Sequence, residues 1–175
     1  MPMTLLLGGA RSGKSDLAAR LAASSARPVV YMATAEGRDE EMTERISMHR
    51  EARPSSWTTV EEPLALAPAI RGVPAESFVV VDCLSLWVSN VMEAGMSENE
   101  ILAEARDVAT TLAARARSSV VVSNEVGLGI VPVNELARRY RDVLGRVNVV
   151  FAAAANDAYL VVAGKALALV EPRLA

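Results

Sequence analysis

Histidine and cysteine are almost absent from this chain: among 175 residues there is one histidine, His49, and one cysteine, Cys83. A single cysteine excludes an internal disulfide and a zinc site built on cysteines, and it fits a reducing cytosol. Aromatic residues make up only 4%, so the core has to be built from Leu, Val, Ile and Ala. Positive charge is not in excess either. With a net charge of −3 the chain has no general attraction for nucleic acid or an anionic membrane, and any phosphate binding must be local. No stretch approaches the ~20 apolar residues that span a bilayer. The amino terminus, "MPMTLLLGGARSGKS", has too short an apolar run for a secretory signal and lacks its charged start. The expectation is a soluble, cytoplasmic protein with neither a nucleic-acid partner nor membrane insertion.

What is present is a globular balance of 51% hydrophobic and 22% charged residues. The length suits one compact domain over residues 1–175 and is too short for two. Short apolar runs alternate with longer segments of helical period, which predicts an α/β fold: a mostly parallel sheet with helices on both faces. Strands are expected at 4–7, 29–32, 57–60, 78–82, 120–123 and 159–162. Several carry consecutive β-branched residues, as strands buried on both faces do. Helices are expected at 14–23, 40–51 and 98–117. The last has an apolar face from Ile101 to Ala113 and a capping box between Ser97 and Glu100. A further helix follows Pro132, with Leu136, Tyr140, Val143, Leu144, Val147 and Phe151 at helical spacing and Gly145 weakening its middle. Its Arg138, Arg139, Arg141 and Arg146 make either a solvated face or a phosphate or subunit contact.

"GGARSGKS", formed by Gly8, Gly9, Ala10, Arg11, Ser12, Gly13, Lys14 and Ser15, fits G-x-x-x-x-G-K-[ST]. It lies straight after a predicted buried strand and opens a helix. Its glycines let backbone N–H groups turn inward around phosphate oxygens, and the helix amino terminus adds partial positive charge. Lys14 reaches the β- and γ-phosphates, and the Ser15 hydroxyl suits Mg²⁺. The chain is therefore expected to bind a nucleoside triphosphate.

A second magnesium ligand should stand at the end of another buried strand, and "FVVVDCLS" offers Asp82. An unpaired carboxylate after three valines is costly as core; a helix cap is the ordinary alternative. "VVVSNEVGLGIVP" runs from a strand into a glycine-rich loop, placing Glu125 near the carboxyl ends of the strands, where ligands of open α/β sheets bind. The guanine-reading N-K-x-D box of regulatory GTPases is absent.

His49 follows Met42 and Ile46 at i, i+4, i+7 spacing, which alone suits a packing or surface residue. Arg45, Arg50 and Arg53 stand within about two helical turns of it. Guanidinium groups around an imidazole suit a polyphosphate better than a core. A neutral histidine there can attack a phosphoryl group and form a phosphoramidate.

Together, "GGARSGKS", "YMATAEGRDEEMTERISMHREARPSSWTTVEEP", "VVVSNEVGLGIVP" and "ARRYRDVLGRVN" resemble, in the same order and over nearly the whole chain, the bifunctional adenosylcobinamide kinase / adenosylcobinamide-phosphate guanylyltransferase family of cobalamin biosynthesis. The combination of R-I-x-x-H-[KR]-x-x-R-P with N-E-V-G-x-G-I-V-P is the specific part. The resemblance implies a RecA-like P-loop NTPase fold, a homotrimer and two reactions. Adenosylcobinamide is phosphorylated with ATP or GTP, and GMP is then transferred from GTP to adenosylcobinamide phosphate, releasing pyrophosphate. It further implies that His49 is the guanylylated nucleophile. The implied nucleotide contacts are residues 8–15, Ala33, Thr34, Ala35, Arg50, Glu51, Ala52, Arg53, Glu61 and Asp82. The chain departs from the family at three places: Asp82 stands where some relatives have Glu, Met48 where some carry a second His, and Val149 where Gln is common.

These readings converge on a mechanism in which Ser15 and Asp82 hold Mg²⁺, Lys14 neutralises the departing pyrophosphate and His49 attacks the α-phosphorus, with Arg50 and Arg53 on the transferred phosphate. A plain P-loop kinase with an incidental His49, or a non-catalytic nucleotide-binding module, are the competing readings.

Overall fold

The computed structural model describes residues 3–37 and 39–171, apart from the side chains of Glu41 and Arg45. The apolar runs form β1 (Met3–Leu7), β2 (Val29–Ala33), β3 (Thr58–Glu61), β4 (Phe78–Asp82), β5 (Ser119–Val122) and β6 (Asp157–Val162), all paired in parallel. A seventh strand, β7 (Lys165–Leu169), runs antiparallel to β6 at one edge. The order across the sheet is β3-β2-β4-β5-β1-β6-β7. The phosphate-loop strand β1 thus lies inside the sheet, with β5 between it and β4, the strand that ends in Asp82.

Alternation along these strands divides the apolar side chains between two layers. Leu5, Leu7, Met32, Val79, Val81 and Val121 face α3 (Leu66–Arg71), α4 (Leu84–Glu93), α5 (Glu98–Ala113) and α6 (Glu135–Ala154). Trp87 and Phe151 fill that layer. On the other face Leu6, Val29, Tyr31, Val80, Val120 and Val122 pack with Ala18 and Ala22 of α1 (Lys14–Ser24). The remaining helix, α2 (Glu40–Glu51), capped by the Asp39 carboxylate on Met42 N at 2.7 Å, buries none of its described side chains.

The expected sheet with helices on both faces is what forms, with some corrections. α5 ends at Ala113 rather than at 117, because the Arg115 guanidinium turns back to the carbonyls of Val73 at 3.2 Å, Pro74 at 2.6 Å and Ser77 at 3.2 Å. A helix continued through Arg115 would carry it past those acceptors. Leu136 does not join the apolar face of α6; it is exposed. α3, α4 and β7 lie outside the elements expected from sequence. Among the described residues no helix is long and apolar enough to cross a membrane.

Candidate active site

The carboxyl ends of the parallel strands open onto a cavity of about 590 Å³. β1 delivers the phosphate loop to it, and Ala10, Arg11, Ser12, Gly13, Lys14 and Ser15 line its floor. Gly13 is the N-cap of α1 with φ 92°, a left-handed conformation that favours glycine, and no side chain caps the helix. The first N–H groups of α1 are left for an anion. Lys14, 6% exposed, donates from Nζ to the Gly9 carbonyl at 2.6 Å and to Ser12 Oγ at 3.3 Å. Burial pulls its pKa below the usual lysine value, an effect that nearby Cys83 and Asp82 oppose.

The loop is also braced from outside. Gly8 lies against β6, where a Cβ would meet the Val161 carbonyl oxygen at 2.3 Å. The β6–β7 turn donates Gly164 N–H to the Ser12 carbonyl at 2.8 Å. Gly8 and Gly9 therefore shape the loop without lining the cavity.

β4 ends in Asp82, which also lines the cavity. It does not cap α4, whose N-cap is Cys83. Instead the Tyr31 hydroxyl donates to Asp82 Oδ2. Burial and the Asp82 charge drive the Tyr31 phenol far above its ordinary pKa, so it remains a proton donor. The Cys83 thiol, buried beside Asp82, is pushed up to about 11. A buried network joins the ends of β2 and β4. Thr34 Oγ1 donates to the Cys83 carbonyl at 2.7 Å and accepts from Cys83 N–H at 2.9 Å, while Asn90 Nδ2 donates to the Thr34 carbonyl at 2.8 Å.

From the far side, α2 and the chain after it bring Met42, Ile46, His49, Arg50 and Arg53 to the same cavity, with Glu61 at the end of β3. The stripe shared by Met42, Ile46 and His49 thus faces the cavity and not the core. Arg50 pairs with Glu61. Arg53 lies over the Tyr31 ring, its Cζ 3.6 Å from the centroid, and Trp57 stacks on the same tyrosine at 6.4 Å. The Arg45 side chain falls outside the described residues.

Of the positions singled out from sequence, Ala33 and Ala35 line the cavity, whereas Thr34 is buried behind it in the network just described. Glu51 accepts from Ser47 Oγ at 3.1 Å, and Ala52 is the C-cap of α2; neither lines the cavity. Glu125 turns into its own loop and accepts from Gly127 N–H, while its neighbour Asn124 lines the cavity. Asn148 of α6 holds that segment, accepting from Ser123 Oγ at 2.6 Å and donating to the Asn124 carbonyl at 3.0 Å. Of the α6 arginines, Arg138 donates to the Pro132 carbonyl at 3.0 Å, and Arg141 and Arg146 pair with Asp142 and Glu98. None of the four lines the cavity. Tyr31, Ser85, Leu86 and Asn148 were not singled out from sequence. The available signal for Tyr31 was an aromatic standing alone among "VV" and "MA" in a buried strand.

No cluster of three or more His, Cys, Asp or Glu suited to a metal occurs among the described residues. That excludes a dedicated protein cage among them and leaves the type of site Mg²⁺ uses with nucleotides, one or two protein oxygens plus phosphate and water. The Ser15 hydroxyl and the Asp82 carboxylate supply hard oxygens on one cavity, so the residues fit that ion.

A phosphate loop between β1 and α1, a carboxylate at the end of β4 and this strand order define a RecA-like P-loop NTPase. A RadB recombinase structure has the same fold at a TM-score of 0.53 and 15% identity, covering 91% of this chain and 73% of that one. Residues 4–169 match the family cobinamide kinase / cobinamide phosphate guanyltransferase, and the chain belongs to it. The bifunctional adenosylcobalamin biosynthesis protein CobP of Pseudomonas aeruginosa is 44% identical over 161 residues, 91% of this chain and 92% of that protein. CobU of Escherichia coli, with the same bifunctional description, is 39% identical over 175 residues, covering 93% and 96%.

Proposed function

We propose that the cavity carries out both reactions of the family with one phosphate loop, and that the second proceeds through guanylylated His49. The observation that carries this reading is that His49 and Lys14 line one cavity although they come from opposite sides of it. In the kinase step the loop and Lys14 hold the triphosphate of ATP or GTP while the acceptor hydroxyl of adenosylcobinamide takes the γ-phosphoryl group; no covalent histidine is required. In the transfer step an imidazole nitrogen attacks the α-phosphorus, the bond to the bridging oxygen breaks and pyrophosphate leaves. An oxygen of adenosylcobinamide phosphate then attacks the same phosphorus, the P–N bond breaks and adenosylcobinamide-GDP forms. Lys14 neutralises the departing pyrophosphate, and Arg50 and Arg53 the phosphate in transfer.

Ser15 and Asp82 would hold Mg²⁺, which when bound neutralises phosphate charge. A homotrimer in the cytoplasm completes the reading. The family resemblance supports the assembly, and so does the run of apolar side chains on the 126–136 segment, where Leu128 is 84%, Ile130 96% and Val133 97% exposed. The single, buried, free Cys83 suits a reducing compartment.

The test incubates the protein with Mg²⁺ and GTP labelled at the α-phosphate, denatures it and looks for label on the chain, with His49→Asn alongside. Acid-labile, alkali-stable label in the wild type and none in the variant is the expected result. No label on a wild-type protein that binds GTP would leave a plain kinase with an incidental His49.

A further inference from the structure

We propose that Tyr31 is a positioning residue serving two parts of the site at once: its hydroxyl orients the Asp82 carboxylate toward a phosphate-bound divalent cation, and its ring seats Arg53, the guanidinium that follows His49. The inference rests on the reading of Asp82 and His49 given above.

The strand register explains how one side chain does both. Tyr31 of β2 pairs with Val80 of β4, so Asp82, two residues further along, projects from the same face about 6.6 Å away along the strand. A phenol spans that distance, and its hydroxyl reaches Oδ2. Apolar residues occupy the rest of β2, and an aliphatic residue at 31 would suit its 4% exposure while forfeiting the ring contacts with Trp57 and Arg53. It would leave Oδ2 without this donor. With Oδ2 engaged, the carboxylate is held in one orientation on the cavity, where it would serve as the one protein carboxylate that a nucleotide-bound Mg²⁺ needs.

The ring makes the second contact. Arg53 Cζ lies 3.6 Å from its centroid, and Nη1 also reaches Thr59 Oγ1 at 3.4 Å. Because α2 buries none of its described side chains, contacts such as this one locate the end of the helix that carries His49. Tyr31 thereby ties the carboxylate on one wall of the cavity to the arginine on the other.

Tyr31→Phe removes the hydroxyl and keeps the ring; Tyr31→Met removes both and leaves a flexible apolar side chain in the core. GTP binding is followed by calorimetry without metal and then as a function of Mg²⁺, and the loading of His49 is followed in a single turnover, with Asp82→Asn as reference. Tyr31→Phe is expected to bind metal-free GTP with wild-type affinity and to need about tenfold more Mg²⁺ for its half-maximal effect, the loss of one hydrogen bond to a charged group. Tyr31→Met is expected to share that requirement and to load His49 several-fold more slowly than Tyr31→Phe. A wild-type Mg²⁺ requirement in Tyr31→Phe, with a raised one in Asp82→Asn, overturns the role of the hydroxyl and leaves Asp82 as the ligand. Equal loading by the Phe and Met variants overturns the role of the ring. Asp82→Asn without effect on the Mg²⁺ requirement overturns the metal reading and this inference together. If Tyr31→Met does not fold, Tyr31→Leu replaces it in the same comparison with Tyr31→Phe.

Discussion

The ammonium of Lys14 donates to the carbonyl oxygen of Gly9, five residues earlier, at 2.6 Å, so the phosphate loop closes around its own lysine. A buried cation with a neutral partner is costly, and the lowered pKa of Lys14 expresses that cost. Its folded pKa lies below the unfolded value, so at neutral pH the charged lysine reduces stability. Lys14→Met should therefore leave the free protein as stable as the wild type or more so. Thermal unfolding with and without GTP checks this. The wild type should gain about 2.7 kcal/mol at a hundredfold excess of ligand over Kd, and the variant should lose more than half of that gain. A less stable free variant with an undiminished gain would contradict the argument.

Arg50 and Glu61 form an ion pair with both side chains more than half exposed. Such pairs contribute about 0–1 kcal/mol. Arg50→Ala and Glu61→Ala should each shift the urea midpoint by no more than that corresponds to, yet slow loading of His49 from GTP by at least about tenfold, because both side chains line the cavity shared by the phosphate loop and His49. A loss of stability matching the loss of loading would make the pair structural.

Stability should decline in alkali. The Cys83 thiol has an ordinary value of 9.0 and is raised by burial to about 11. Above pH 9 the unfolded chain releases this proton more readily than the folded one, so the contribution is complete below pH 9 and is lost as pH rises through 11. Tyr140, raised by burial to about 12, acts in the same direction at higher pH. The expected loss from Cys83 is on the order of 2 kcal/mol. Urea unfolding at pH 8 and pH 10.5 should show it, and Cys83→Ala should flatten the difference.

Arg115 offers a test confined to folding. Its fork gathers carbonyls from the turn after α3, so Arg115→Ala should cost about 2–3 kcal/mol in urea unfolding while GTP affinity stays unchanged. Arg115→Lys should recover little of this, since an ammonium cannot bridge several carbonyls in one plane.

Most of the cavity's lining was legible because its signals are local. The phosphate loop is a contiguous motif at a strand–helix junction, β4 announces itself by three valines before Asp82, and His49 belongs to a distinctive run of arginines. What stayed hidden depends on pairing across the sheet. That Tyr31 meets Asp82 follows from the register of β2 on β4, and that Asn148 holds Asn124 follows from where α6 crosses the sheet. α4 escaped because it follows β4 directly, with no side-chain cap at Cys83 and no acidic residue in its first turn, so no start signal separates it from the strand. α3 is six residues long and contains Pro68. β7 carries an apolar run from Ala166 to Val170 yet is exposed along its whole length, so it does not read as the buried strand that marked the others; the Ala163–Gly164 turn before it, with both φ values positive, was the missed hairpin signal.

The seating of α2 has one more consequence. Rigid strands end beneath the phosphate loop and Asp82, whereas the helix bearing His49 has no described side chain sunk into either layer of the core. Shifting such a helix displaces no buried side chain of its own among the described residues, and surface contacts exchange far faster than a domain unfolds. In the function proposed above, the molecule would work as an anvil and a hammer: the anvil would fix the nucleotide, and the hammer would strike at the α-phosphorus or stand aside while the γ-phosphoryl group departs. Two chemistries then require only one grip.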